Sequence, residues 1–106
     1  MMYYELETGN KVYKLRLNTR NIIELEKKIG GNPLSIFGTG ERIPTVTEMI
    51  TILHCSLQQY EHGITLNEAY EIFDSWISEG NAAVEFLNII VEVYKVSGII
   101  NNNQKN

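Results

Sequence analysis

A chain of 106 residues, 43% hydrophobic and 21% charged, has the composition of one folded domain, too short for two cores and too apolar to stay disordered. Its formal charge of −4, with nine scattered lysines and arginines, argues against a nucleic-acid partner, which needs a concentrated basic face. One cysteine cannot close an internal disulfide, and "MMYYELETGNK" is too acidic for a signal peptide and too poor in apolar residues to span a membrane, so the expectation is a soluble cytoplasmic protein.

"MYYELE" and "KVYKLRL" flank Thr8-Gly9-Asn10-Lys11, and Gly-Asn suits a two-residue turn because both positions tolerate positive φ. The spacing predicts an antiparallel hairpin over residues 2–17. Pairing Thr8 with Lys11 sets Leu6 opposite Tyr13, Tyr4 opposite Leu15 and Met2 opposite Leu17 on a face covered by helices. Glu5 with Lys14 and Tyr3 with Arg16 fall on the other, solvated face. A helix over about 19–29 follows, capped by Asn18 or Thr19 and stopped by Gly30. Ile22, Leu25 and Ile29 form its buried stripe, with Glu24 and Lys28 as a surface pair. "PLSIF" reads as a helical turn opening on Pro33, and "GTGERIP" as the most flexible internal segment.

"TVTE" and "TLNE" are capping boxes, with Thr45 and Thr65 at helix starts and Glu48 and Glu68 three residues on. They predict helices over about 46–61 and 66–78. The first turns Val46, Met49, Ile50, Leu53, Leu57 and Tyr60 to the core; the second turns Leu66, Ala69, Tyr70, Phe73, Trp76 and Ile77. Asn81 is read as the cap of a last helix over 82–97, and residues 101–106 as a disordered polar tail. The expected fold is a single α+β, mostly helical domain over residues 1–100, an N-terminal antiparallel hairpin packed on a bundle of about four helices.

"LHCSLQQYEH", residues 53–62, holds both histidines and the one cysteine. On a helix His54 and His62 lie about 12 Å apart along the axis, and Cys55 and His62 about 10 Å. Zinc ligands sit about 2 Å from the metal, and helical histidine pairs need a spacing of four. His54 projects about 100° away from Cys55, so the two cannot act as a nucleophile pair. Cys55 and His62 are placed on the side away from the core, where Cys55→Ser would be nearly neutral. "GTGERIP" lacks the Lys-Ser/Thr of a phosphate loop, and no acidic run forms a calcium loop. Nothing here assembles a base, a nucleophile and an oxyanion donor. The expectation is a non-enzymatic protein with no catalytic, cofactor-binding or metal-ligating residues.

The last helix, "NAAVEFLNIIVEVYKVSGII", confines Glu85, Asn88, Glu92 and Lys95 to roughly 80° of its circumference. Its apolar arc is wider than the stripe of about 100° that a surface helix needs. Either the helix is central, or part of the arc is exposed and meets a partner. Phe86, Ile89, Ile90 and Val93 are the candidate protein-interaction residues.

From residue 10 to 98 the order of parts resembles the tail assembly chaperones of long-tailed phages and prophages of Gram-positive bacteria. The resemblance is carried by "YKLRLNTRNIIELEKKIGGNPLSIF", by "PTVTEMITILHCSLQQYEHGITLNEAYEIFDSWI", in particular Ser56 to Thr65 at a helix end, and by the hydrophobic helix that follows. It implies a helical, non-enzymatic protein of the host cytoplasm, absent from the mature virion. Such a protein coats the tape measure protein, keeps it soluble and helps recruit tail tube subunits. Self-association is a further expectation. Related chaperones are often made in two lengths by ribosomal slippage, and Gln104-Lys105-Asn106 permits a slippery codon run there. The competing readings are a small phage adaptor (a connector or tail completion protein) retained in the particle, and a DNA-binding regulator, disfavoured by charge.

Overall fold

The computed structural model describes residues 2–38 and 42–101. Strands β1 (Tyr4–Thr8) and β2 (Lys11–Leu15) form the hairpin. Gly9 and Asn10 adopt φ of 59° and 64°, the two left-handed residues that a tight hairpin turn requires. Thr8 pairs with Lys11, Leu6 with Tyr13 and Tyr4 with Leu15, as the alternation predicts. Leu6 and Leu15 are buried, while Glu5, Glu7, Val12 and Lys14 face outward. Met2 does not join the ladder opposite Leu17: it is 63% exposed, whereas Leu17 is fully buried. The chain leaves the sheet here because Arg16 N–H donates to the Ser56 carbonyl and Leu17 N–H to Ser97 Oγ.

Helix α1 (Thr19–Ile29) is capped by Asn18, whose Oδ1 accepts from Asn21 N–H, and it stops at Gly30 with φ 79°. Leu25 is buried, and Ile22 and Ile29 are half-buried against the core. Glu24 and Lys28 form no ion pair; among the described residues the pairs are Arg42 with Glu48 and Lys95 with Glu92. An exposed pair gains too little to hold two long side chains together. Pro33–Phe37 forms a 3₁₀ turn, as expected for "PLSIF". The flexibility expected of "GTGERIP" concerns residues 39–41 in part, and these lie outside the described residues, as do 102–106 of the polar tail.

Both capping boxes close. The Glu48 carboxylate accepts from Thr45 N–H at the start of α2 (Val46–Leu57), and the Glu68 carboxylate from Thr65 N–H at the start of α3 (Leu66–Ser78). Helix α2 ends at Leu57, short of the expected Glu61. Gln58 and Tyr60 N–H reach the carbonyls three residues back, which tightens the last turn. Gln58 Nε2 then donates to the His54 and Ile64 carbonyls and ties the turn down.

The inward face of α3 is Ala69, Ile72, Phe73 and Trp76. Leu66 and Tyr70, expected inside, are 43% and 46% exposed. The hairpin decides the rotation: Thr8 Oγ1 and Ser75 Oγ are hydrogen-bonded at 2.8 Å, and Gly9 N–H donates to the Glu79 carboxylate. Packing on that side turns Ile72 inward and leaves the opposite flank open.

Asn81 closes α3 instead of opening the next helix, its Nδ2 donating to the Trp76 carbonyl. A 3₁₀ turn, Ala83–Glu85, leads into α4 (Phe86–Val96), with the Glu85 carboxylate accepting from Ala82 N–H. Helix α4 packs against α2 and β1, and the Tyr94 hydroxyl donates to the Pro33 carbonyl at 3.0 Å. The result is the expected α+β fold: a two-stranded hairpin over four helices around one core. Among the described residues no helix is long and apolar enough to cross a membrane.

Candidate interaction surface

The four residues singled out on α4 come together in the core. Phe86, Ile89, Ile90 and Val93 are 1%, 6%, 0% and 1% exposed. The Phe86 ring meets Phe73 and Trp76 edge-on, at centroid distances of 5.2 and 5.3 Å. Of the two readings of that wide apolar arc, the central helix is the one the packing realises. The four side chains are covered by this chain's own elements and form no accessible patch.

In "LHCSLQQYEH", His54 Nε2 lies 3.0 Å from the Ile64 carbonyl. A carbonyl can only accept, so Nε2 carries the proton and the ring pins the end of α2 to the following turn. His62 is exposed. Cys55 was expected on the outer side of α2, yet it is 3% exposed. Helix α1 covers that side, and Asn21, Glu24 and Lys28 join His54, Cys55 and Gln58 around a cavity of about 200 Å³. Burial pushes the Cys55 thiol up to about 11, where little thiolate exists at neutral pH. Among the described residues no three histidine, cysteine or acidic side chains gather as a metal site.

Two features are accessible instead. On α3, Leu66 and Tyr70 are one turn apart and form an exposed apolar strip, with half-buried Ile77 on the same flank. Sequence reasoning assigned these residues to the core because a 3.6-residue period fits two overlapping stripes, one centred on Tyr70 and one on Ile72. Leu66 directly follows the cap residue Thr65; a first-turn position tends to solvent, and that was the available signal.

The second feature is a groove of about 550 Å³ between the hairpin, α3 and the turn joining α2 to α3. Lys11 and Tyr13 line one wall, Glu61 to Ile64 another, and Glu68, Glu71, Ile72 and Ser75 the α3 side. Glu61 and Glu71 take part in neither ion pair found among the described residues. Hydrogen bonds from the Thr65 backbone and hydroxyl hold the Glu68 carboxyl below its ordinary range. The groove therefore carries three acidic side chains against Lys11 and His62.

The family model for DUF6096, a family of unknown function, matches residues 4–106. No curated protein and no solved structure matches the chain.

Proposed function

The chain belongs to the DUF6096 family, and we propose that it is a non-enzymatic tail assembly chaperone that binds the tape measure protein of its phage or prophage and keeps it soluble during assembly. The observation that carries this reading is the exposed strip of Leu66 and Tyr70 on α3. A tape measure is a long helical chain with apolar faces, and such a helix docks through side chains one turn apart against a partner strip of the same spacing. The sequence resemblance points to the client, and the exposed strip supports the reading that the client docks there. Recruitment of tail tube protein, self-association and action in the host cytoplasm belong to the same proposal.

Mass spectrometry of purified particles tests this reading against that of a retained adaptor. A chaperone is present in the lysate and absent from mature virions. Stoichiometric recovery from finished particles would replace it with a connector or tail completion role.

A further inference from the structure

We propose that the exposed flank of α3 selects a basic partner helix, one whose apolar residues recur a turn apart and are bordered by lysine or arginine. The inference rests on the reading of Leu66 and Tyr70 as the client-docking strip, and adds the chemistry that recognises the client. Leu66, Tyr70 and Asp74 follow one another one turn apart, so they form a single row along the helix. All three are exposed, and so is Glu71 on the adjoining row. Neither Glu71 nor Asp74 takes part in the ion pairs found among the described residues. The row is apolar at its N-terminal end and acidic one turn further on.

The charges around this row have one sign. Between Ile43 and Tyr94 the chain carries no lysine or arginine, so α2, α3 and the turns on either side of α3 supply no permanent cation. Lys11 does approach α3, but it does so in the groove under the hairpin, beside Glu68 and Ser75. Ser75 meets Thr8 on that side, and its row is turned about 140° from that of Tyr70. Lys11 therefore lies across the helix from the strip. A helix laid along α3 with its apolar pair on Leu66 and Tyr70 brings its next turn beside Glu71 and Asp74. A lysine or arginine there meets opposite charge, and an acidic residue meets like charge. A second copy fits less well. Its α3 would oppose acid to acid, and its α1 offers Arg20 and Lys27 around one exposed apolar side chain, Ile23, with Glu24 and Glu26 beside them.

The probe is a blocked, fluorescent, alanine-based helix with leucines one turn apart and lysines on either side of them; its counterpart carries glutamates in place of the lysines. Anisotropy with the full-length protein measures the binding of each. The lysine helix should bind about tenfold more tightly than the glutamate helix, and its advantage should shrink as salt is raised. Glu71→Lys with Asp74→Lys should reverse the preference, so that the glutamate helix becomes the tighter ligand. Glu7→Lys with Glu26→Lys makes the same change in net charge away from the strip and should leave the preference in place. Leu66→Ala with Tyr70→Ala should weaken the lysine helix at least about tenfold. Equal binding of the two helices, a preference unmoved by salt, or equal effects of the two charge reversals would overturn the inference while leaving Leu66 and Tyr70 as a docking strip. Failure of both helices to bind, or binding unaffected by Leu66→Ala with Tyr70→Ala, would overturn the strip as well. A concentration-dependent dimer that Asp74→Lys abolishes would overturn the inference in favour of a second copy. The salt titration uses unmodified protein, so the test stands even if a variant fails to fold.

Discussion

Replacing Phe86 with alanine separates a core helix from a binding helix. The side chain is 1% exposed and its ring makes edge-on contacts with Phe73 and Trp76. Truncating a buried phenylalanine costs about 3–5 kcal/mol in lost transfer energy and residual cavity, and the two aromatic contacts place this site in the upper part of that range. A domain of this size has only about 5–15 kcal/mol of stability. At roughly 4 °C per kcal/mol, a loss of about 4–5 kcal/mol should lower the melting temperature by about 16–20 °C. Thermal unfolding followed by far-ultraviolet circular dichroism measures this directly, with Leu66→Ala as the exposed control, expected within about 0.5 kcal/mol of the parent. A loss below about 1 kcal/mol for Phe86→Ala, on the scale of an ordinary surface change, would refute the packing described for α4, most clearly if association were lost with it.

Three further outcomes follow from the same contacts. The Glu48 carboxyl is held down chiefly by its hydrogen bond with Arg42, and that of Glu68 by the Thr65 backbone. A carboxyl depressed on folding contributes stability that is present above its unfolded value and lost as pH falls through the folded one. Denaturation midpoints should therefore decline as pH drops below the ordinary value of 4.5, and Glu48→Gln with Glu68→Gln should flatten that decline. Cys55 should resist alkylation at neutral pH until the protein unfolds, and Cys55→Ser should cost about 1–3 kcal/mol by burying an unpaired hydroxyl; rapid labelling of native protein would contradict its burial. Leu66→Glu with Tyr70→Glu should keep the melting temperature of the parent and lose client binding in a pull-down.

The local elements were readable because each rested on short-range chemistry. Gly9-Asn10 set the turn and hence the register, and Thr45–Glu48 and Thr65–Glu68 set two helix starts. Tertiary packing decided what remained. The rotation of α3 depends on the hairpin meeting Ser75 and Glu79, contacts that span 67 and 70 residues of sequence and leave no periodic trace. Cys55 looked outward because α2 was read as having one covered side, whereas α1 supplies another. Asn81 and the last helix start were misassigned because one amide can serve either neighbouring helix. The interaction surface was the least legible part. The widest apolar arc, on α4, fills the core, and the exposed flank of α3 follows from a rotation that tertiary contacts set.

The central claim, that this protein keeps a tape measure protein soluble, is tested most directly by expressing that client alone and together with the full-length chain, then measuring the client in the soluble fraction after centrifugation. The account predicts that the client alone sediments, that co-expression moves most of it into solution, and that the two elute together on size exclusion. A client that sediments equally in both cases, or stays soluble without forming a complex, would contradict it.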